Sequence, residues 1–188
     1  MNTSNFILRT MLFIPGHVEK LMNKALETDA DALIFDLEDS CKPDKNKSVA
    51  RELIKEKIKS NIFNRFYTFV RINPRGSKYL MDDVLSLTVN GLTGFLYPMA
   101  KSRDDLIFFD NLLQEIELSK NIEVGTFKIF PVIETAGGVL NAREICSSSK
   151  RIVALGFGGE DYTTDVESFR DKEGDSIFYA RSFISHAA

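Results

Sequence analysis

Short apolar runs alternate along the chain with longer stretches whose apolar positions recur at helical spacing. "TMLFIPG" (10–16) reads as a buried strand closing in a Pro-Gly turn. "HVEKLMNKALETD" then sets Val18, Leu21, Met22, Ala25 and Leu26 on one helical face. A second strand is predicted over "ALIFDLED" (32–39), followed by a helix over "NKSVARELIKEKIKS" (46–60) with Val49, Leu53, Ile54 and Ile58 continuing one face. Four more strands are predicted, over "FYTFVRIN" (66–73), "GFLYPM" (94–99), "FKIFPVIET" (127–135) and "RIVALGFGG" (151–159). Helical patterns occupy 78–89, 102–120 and 136–148, and a last helix begins near Asp175. Nearly continuous apolar strands separated by helices indicate a parallel sheet covered on both faces. The fold class is therefore α/β, and both a doubly wound open sheet and a (β/α)8 barrel satisfy the pattern.

Polar residues gather where these strands end. The first gives Pro15, Gly16 and His17, the second Asp36, Glu38 and Asp39, and the third Arg71 and Asn73. Pro98 and Lys101 follow the fourth, Glu134 and Thr135 the fifth, and Gly158, Gly159, Glu160 and Asp161 the sixth. Carboxyl ends are the functional face of both parallel α/β architectures. Acids meeting at one end of a sheet repel one another unless a cation or an arginine offsets the charge. Each acid alone could simply cap the helix that follows it. Glu134 and Asp161 together point to a hard divalent ion held through oxygen. Arg71 lies inside an apolar strand and needs an anionic partner. That partner is either Glu38 or Asp39 in a structural ion pair, or a substrate carboxylate gripped at two points. Asn73 reads as a turn residue before Pro74, His17 as an exposed helix start, and His186 as helix surface. "GFGGED" lacks the lysine and hydroxyl residue of a phosphate loop, and no Ser/His/Asp or Cys/His arrangement is present.

Composition narrows the classes. A chain of 188 residues, 44% hydrophobic, suffices for one sizeable core, so residues 1–188 are expected to form a single domain. A net charge of −3 indicates no nucleic-acid surface, and no apolar run reaches the roughly 18 residues of a membrane span. The N-terminal "MNTSNFILRTMLFIPG" lacks the layout of a secretory signal. Cys41 and Cys146 read as free thiols, which fits a reducing cytoplasm. Lys45, Lys47, Arg51, Lys55, Lys57 and Lys59 form a basic run on one helix, read as a solvated face or as an attraction for a polyphosphate group.

Four stretches, "RTMLFIPGHVEKLMNKALETDADALIFDLEDS", "VRINPRGS", "PVIETAGGV" and "ALGFGGEDYTTDV", resemble in order and spacing the citrate lyase β-subunit-like family. That family belongs to the HpcH/HpaI aldolase group of phosphoenolpyruvate/pyruvate-type barrels. The resemblance covers essentially the whole chain and implies a parallel (β/α)8 TIM barrel. About six β/α units are present, so the C-terminal part, with the last two strands, is expected to be missing. The implied activity is Mg2+-dependent carbon–carbon cleavage of a citryl-, malyl- or citramalyl-CoA-like thioester to a keto acid and an acyl thioester. A thioesterase, or a keto-acid- and metal-binding assembly subunit without turnover, are the alternatives. By resemblance Glu134 and Asp161 hold Mg2+ and Arg71 binds the keto-acid carboxylate. Asp36, Glu38 and Asp39 shape the pocket, and the backbone around Pro15 and Gly16 lines it. The implied partners are an acyl-CoA or acyl-carrier thioester and a keto acid, in a cytoplasmic homo-oligomer, a trimer or hexamer. The chain departs from the family's "LPK" by reading "LYPMAKS", which displaces Lys101.

Overall fold

The computed structural model describes residues 7–169 and 171–188, so the first six residues of the stretch read for a signal lie outside it. Its six strands are β1 (Met11–Pro15), β2 (Ala32–Asp36), β3 (Tyr67–Arg71), β4 (Gly94–Tyr97), β5 (Lys128–Ile133) and β6 (Gly156–Phe157). They are parallel and lie side by side in chain order. Among the described residues, six helices lie between the strands, α1 (Glu19–Ala25), α2 (Asn46–Lys59), α3 (Leu80–Leu87), α4 (Arg103–Ser119), α5 (Ala136–Leu140) and α6 (Ala142–Cys146), and two follow β6, α7 (Gly159–Asp165) and α8 (Asp175–Ala187).

Side chains alternate across a strand, and the alternation here separates two apolar layers. Leu33, Phe35, Val70, Phe95, Tyr97, Ile129 and Ile133 face the helices and pack with Met22, Ile54, Val84, Phe109, Ile145 and Ile184. The intervening Ala32, Ile34, Phe69, Leu96 and Phe130 pack against one another on the other face. There Phe69 and Phe130 meet edge to face at 5.9 Å. A doubly wound sheet reverses its strand order and covers both faces with helices. An unreversed order, and an inner face filled by its own side chains, make this sheet a curled half-barrel instead.

The predicted elements shift where side chains compete with the backbone ladder. The second strand stops at Asp36, whose carboxylate accepts the Glu38 and Ser40 N–H groups. The sixth was predicted over 151–159, yet only Gly156–Phe157 form a strand, preceded by an isolated bridge from Ile152 to Ile129. The buried Arg151 instead turns to α4, pairing with Asp110 at 2.5 Å and Glu117 at 2.6 Å. The helix predicted over 136–148 is two short helices meeting at Asn141, whose side-chain amide donates to the Lys101 carbonyl at 2.9 Å. Gly159, Glu160 and Asp161, read as the polar end of a strand, instead open helix α7.

Candidate active site

Strand parity brings the chemistry inward. Asp36, Arg71 and Glu134 follow Ile34, Phe69 and Val132 by two residues, so they extend the inner face beyond its apolar layer. Register sets Pro15, Asp36, Arg71 and Leu96 side by side on adjacent strands. Pro15 thus stands at the level of Asp36, and the Gly16 N–H donates to the Asp36 carbonyl at 2.9 Å. A Cβ on Gly16 would lie 2.8 Å from that same oxygen, so only glycine permits β1 to leave the sheet there.

The buried Asp36 carboxylate organises one half of the site. It grips the Arg71 guanidinium in two-point fashion, with Nε at 2.7 Å and Nη2 at 2.6 Å, and also accepts the Ser40 hydroxyl. Burial pushes the Asp36 carboxyl up, but Arg71 outweighs it and holds the group below its usual range. Arg71 is itself pulled down by burial and pushed further up by Asp36, Glu38 and Asp39, so it stays charged. Its Nη1 corner reaches Glu38 at 3.2 Å and Asp39 at 3.3 Å, and the Phe13 ring lies 5.3 Å from the guanidinium carbon. Burial raises the Glu38 carboxyl to about 7; Arg71 opposes the rise, while Asp39, Glu134 and Asp36 add to it. Of the two roles open to Arg71, the structure displays the ion pair, and its principal partner is Asp36 rather than Glu38 or Asp39.

Glu134 organises the other half. It is buried just beyond β5, and its Oε2 accepts the Met99 N–H at 2.7 Å. Met99 has φ 53°, the left-handed region that costs a side-chain-bearing residue roughly 1 kcal/mol or more. Gly158 closes the opposite side: a Cβ there would stand 2.5 Å from Glu134 Oε1. Burial raises the Glu134 carboxyl; the Met99 N–H opposes this, Asp161 and Asp39 raise it further, and Arg71 lowers it. Those mutual influences bring Asp39, Arg71, Glu134 and Asp161 into one electrostatic neighbourhood. Asp161 and Glu160 lie exposed in the first turn of α7. Among the described residues, no three His, Cys, Asp or Glu side chains converge closely enough to hold a metal ion alone. Two hard carboxylates that influence each other electrostatically, Glu134 and Asp161, are a donor set that fits a Mg2+ completing its shell with water and substrate oxygens.

Beneath the rim lies a buried polar network that corrects the sequence reading. Lys47 is buried rather than solvated, and its ammonium donates to the Leu37 carbonyl at 2.7 Å and to Asn73 Oδ1 at 2.8 Å. Asn73 is no mere turn residue, since its side-chain amide reaches Asp83 at 2.7 Å. Arg51 closes the network on Asp83 at 2.9 Å, so it too leaves the solvated face. Asp83 shares a helical face with Leu80, Val84 and Leu87, and an acid on an apolar face was the available signal. His17 is half-buried rather than exposed, and its Nδ1 is buried without a hydrogen-bond partner. Lys101 is exposed, with its backbone N–H on Asp105 rather than its side chain in the site. His186 lies on α8, with its Nδ1 2.7 Å from the Ser182 carbonyl of the same helix.

The HpcH/HpaI aldolase/citrate lyase family model matches residues 9–188. The chain is 31% identical over 180 residues to citrate lyase subunit beta of Haemophilus influenzae, covering 96% of this chain and 62% of that protein. It is 32% identical to the L-malyl-CoA/beta-methylmalyl-CoA lyase of Cereibacter sphaeroides, over 84% of this chain and 50% of the relative. The chain thus spans between half and two thirds of the length of these relatives. Among solved structures it superposes on the citrate lyase beta subunit complexed with oxaloacetate and magnesium from M. tuberculosis. The TM-score is 0.76 with 27% identity, over all of this chain and 76% of that one. The matched motifs, the inward-facing acids and the half-barrel that carries them agree: the chain belongs to the HpcH/HpaI aldolase/citrate lyase family.

Proposed function

We propose that this chain carries the metal- and keto-acid-binding half of a carbon–carbon lyase acting on a 3-hydroxyacyl thioester of the citryl-, malyl- or citramalyl-CoA kind. The observation that carries the proposal is Glu134, buried and packed so closely on residue 158 that only glycine fits there, within the electrostatic reach of Asp161 on the next unit. Glu134 and Asp161 would hold Mg2+, which when bound supplies a Lewis acid for the oxygens of an α-keto acid. The protein's own groups do the rest. Asp36 fixes Arg71 by two hydrogen bonds, so the Nη1 corner is the part that a substrate carboxylate would engage in place of Glu38 and Asp39. In the cleavage direction the 3-hydroxyl proton passes to solvent water, the carbon–carbon bond breaks with its electron pair passing to the thioester's α-carbon, and the resulting enolate takes a proton back from solvent to give the acyl thioester. Arg71 offsets the carboxylate charge throughout. Glu38, raised to about 7, can leave Arg71 as the neutral acid, which limits the repulsion an incoming anion meets.

A second reading is a binding or assembly subunit without turnover, and the pairing of Arg71 with three carboxylates favours it. The oligomeric state and a cytoplasmic location belong to the same proposal; no helix among the described residues is long and apolar enough to cross a membrane. Incubation with Mg2+ and each of the three thioesters, followed by assay of released keto acid, separates the two readings. Keto acid from any of them supports the lyase. Mg2+-dependent oxaloacetate binding without product supports the binding subunit. Glu134→Ala is expected to abolish Mg2+ binding by calorimetry, and unchanged affinity would remove Glu134 from the metal site.

A further inference from the structure

At the opposite end of the sheet a second charged site is built. The C-terminal half of α2, the α3–β4 loop and the end of α4 line an open surface pocket of about 620 Å³. These segments precede the amino ends of β4 and β5, so the cavity opens away from the rim that carries Glu134. Three ammonium groups converge on it, from Lys55, Lys59 and Lys120, and no carboxylate lines it. Lys55 and Lys59 lie one helical turn apart on α2. Lys120, the C-cap of α4, donates to the Leu85 carbonyl at 2.5 Å and the Thr88 carbonyl at 3.0 Å. An ammonium has three donors, so one remains for a ligand. The only acid paired with the trio among the described residues is Glu52, 3.5 Å from Lys55 and 71% exposed, a weak surface contact. Like charges held together in a chain of net charge −3 call for an anion, as the acids at the other end call for a cation. Ser86, Asn61 and Asn90 add neutral polar groups to the wall.

We propose that this cavity binds the phosphate or diphosphate group of a small molecule, at a site separate from the active-site rim. Lysine is a compact point charge suited to multiply charged tetrahedral oxyanions, whereas planar carboxylates are matched by the arginine fork, which this cavity lacks. Burial lowers the Lys120 ammonium, and Lys55 and Lys59 lower it further; a bound anion reverses that repulsion. The proposal is independent of the lyase reading, because it uses none of the residues at the strands' carboxyl ends.

The test is titration of the metal-free full chain with pyrophosphate, followed by calorimetry and by backbone amide shifts. Saturable binding is expected, with shifts centred on Asn90, Gly91 and Lys120 and not on Arg71. The Lys55→Gln/Lys59→Gln double variant should weaken it at least tenfold, while the charge-matched Lys20→Gln/Lys45→Gln pair leaves it unchanged. Citrate should bind at least tenfold more weakly than pyrophosphate. Non-saturating binding, equal loss in both double variants, shifts confined to Arg71, or tighter citrate binding would each overturn the proposal.

Discussion

Arg71 is held by one buried partner and two more accessible ones, and that asymmetry decides what a substitution there does. Lysine keeps the charge but cannot reproduce the two-point grip on Asp36, where Nε and Nη2 sit at 2.7 and 2.6 Å. Arg71→Lys is expected to lower keto-acid affinity at least tenfold while Mg2+ affinity stays within a few-fold, both measured by calorimetry. A fall in melting temperature with unchanged keto-acid affinity would make the residue purely structural. Gly158 acts by what it lacks. Gly158→Ala drives a methyl to within 2.5 Å of Glu134 Oε1, so the carboxylate must turn away. Weaker Mg2+ binding is expected, with a loss of roughly 1–3 kcal/mol in stability by chemical denaturation. Both roles were legible only in part. The "GFGGED" and "VRINPRGS" stretches pointed to Asp161 and Arg71, but Met99 carries no mark of its positive φ, since nothing distinguishes that methionine from a strand-end residue.

At the scale of elements, polar groups buried between helix and strand set the joints. Arg151 ties β5 and α4 to the short β6 by pairing with Glu117, whose side chain is fully buried and also accepts the Gly125 and Phe127 N–H groups. Arg151→Met strands that carboxylate in the interior and is expected to cost about 3–5 kcal/mol of unfolding free energy. Arg151→Met combined with Glu117→Gln should recover part of the loss, and equal instability of both variants would show that the ion pair is not the cause. The same joint explains why the predicted sixth strand was too long. Hydrophobic periodicity reads "RIVALGF" as continuous strand, but the guanidinium's need for Glu117 and Asp110 bends the backbone off the ladder. The basic run on α2 failed for a related reason. Charge counts suggest a solvated face, yet Lys47 and Arg51 reach Asn73 and Asp83, partners far along the chain that no local pattern reveals.

For the molecule as a whole, alternation and strand-end chemistry made the α/β class and the charged rim at the strands' carboxyl ends readable, because both depend on local sequence. The pattern left a doubly wound sheet and a barrel both open, and the half-barrel curl could not be read from it, because strand order and inner-face packing are long-range properties. The rim also gives the protein a pH dependence. Glu38 is raised from an ordinary carboxylate value to about 7, so between about 4.5 and 7 the folded chain holds a proton that the unfolded chain has lost. Its contribution to stability is present below that window and is lost as pH rises through it. Metal-free protein should lose roughly 1–2 kcal/mol by this route, after allowance for partial exposure. Glu38→Gln should flatten the profile, and an unaltered slope between pH 5 and 8 would assign it to another group. The strand order has a kinetic side too. Every strand pairs with the next along the chain, so each pairing closes a loop of one helix, or of the two short helices before β6, with their turns. Ordering can then spread one β/α unit at a time, with the loop-closure entropy spread over small steps. The Asp36–Arg71 pair belongs to an early stretch and Glu134 and Asp161 to a later one, and only the arrival of β4 between them joins the two into a single rim.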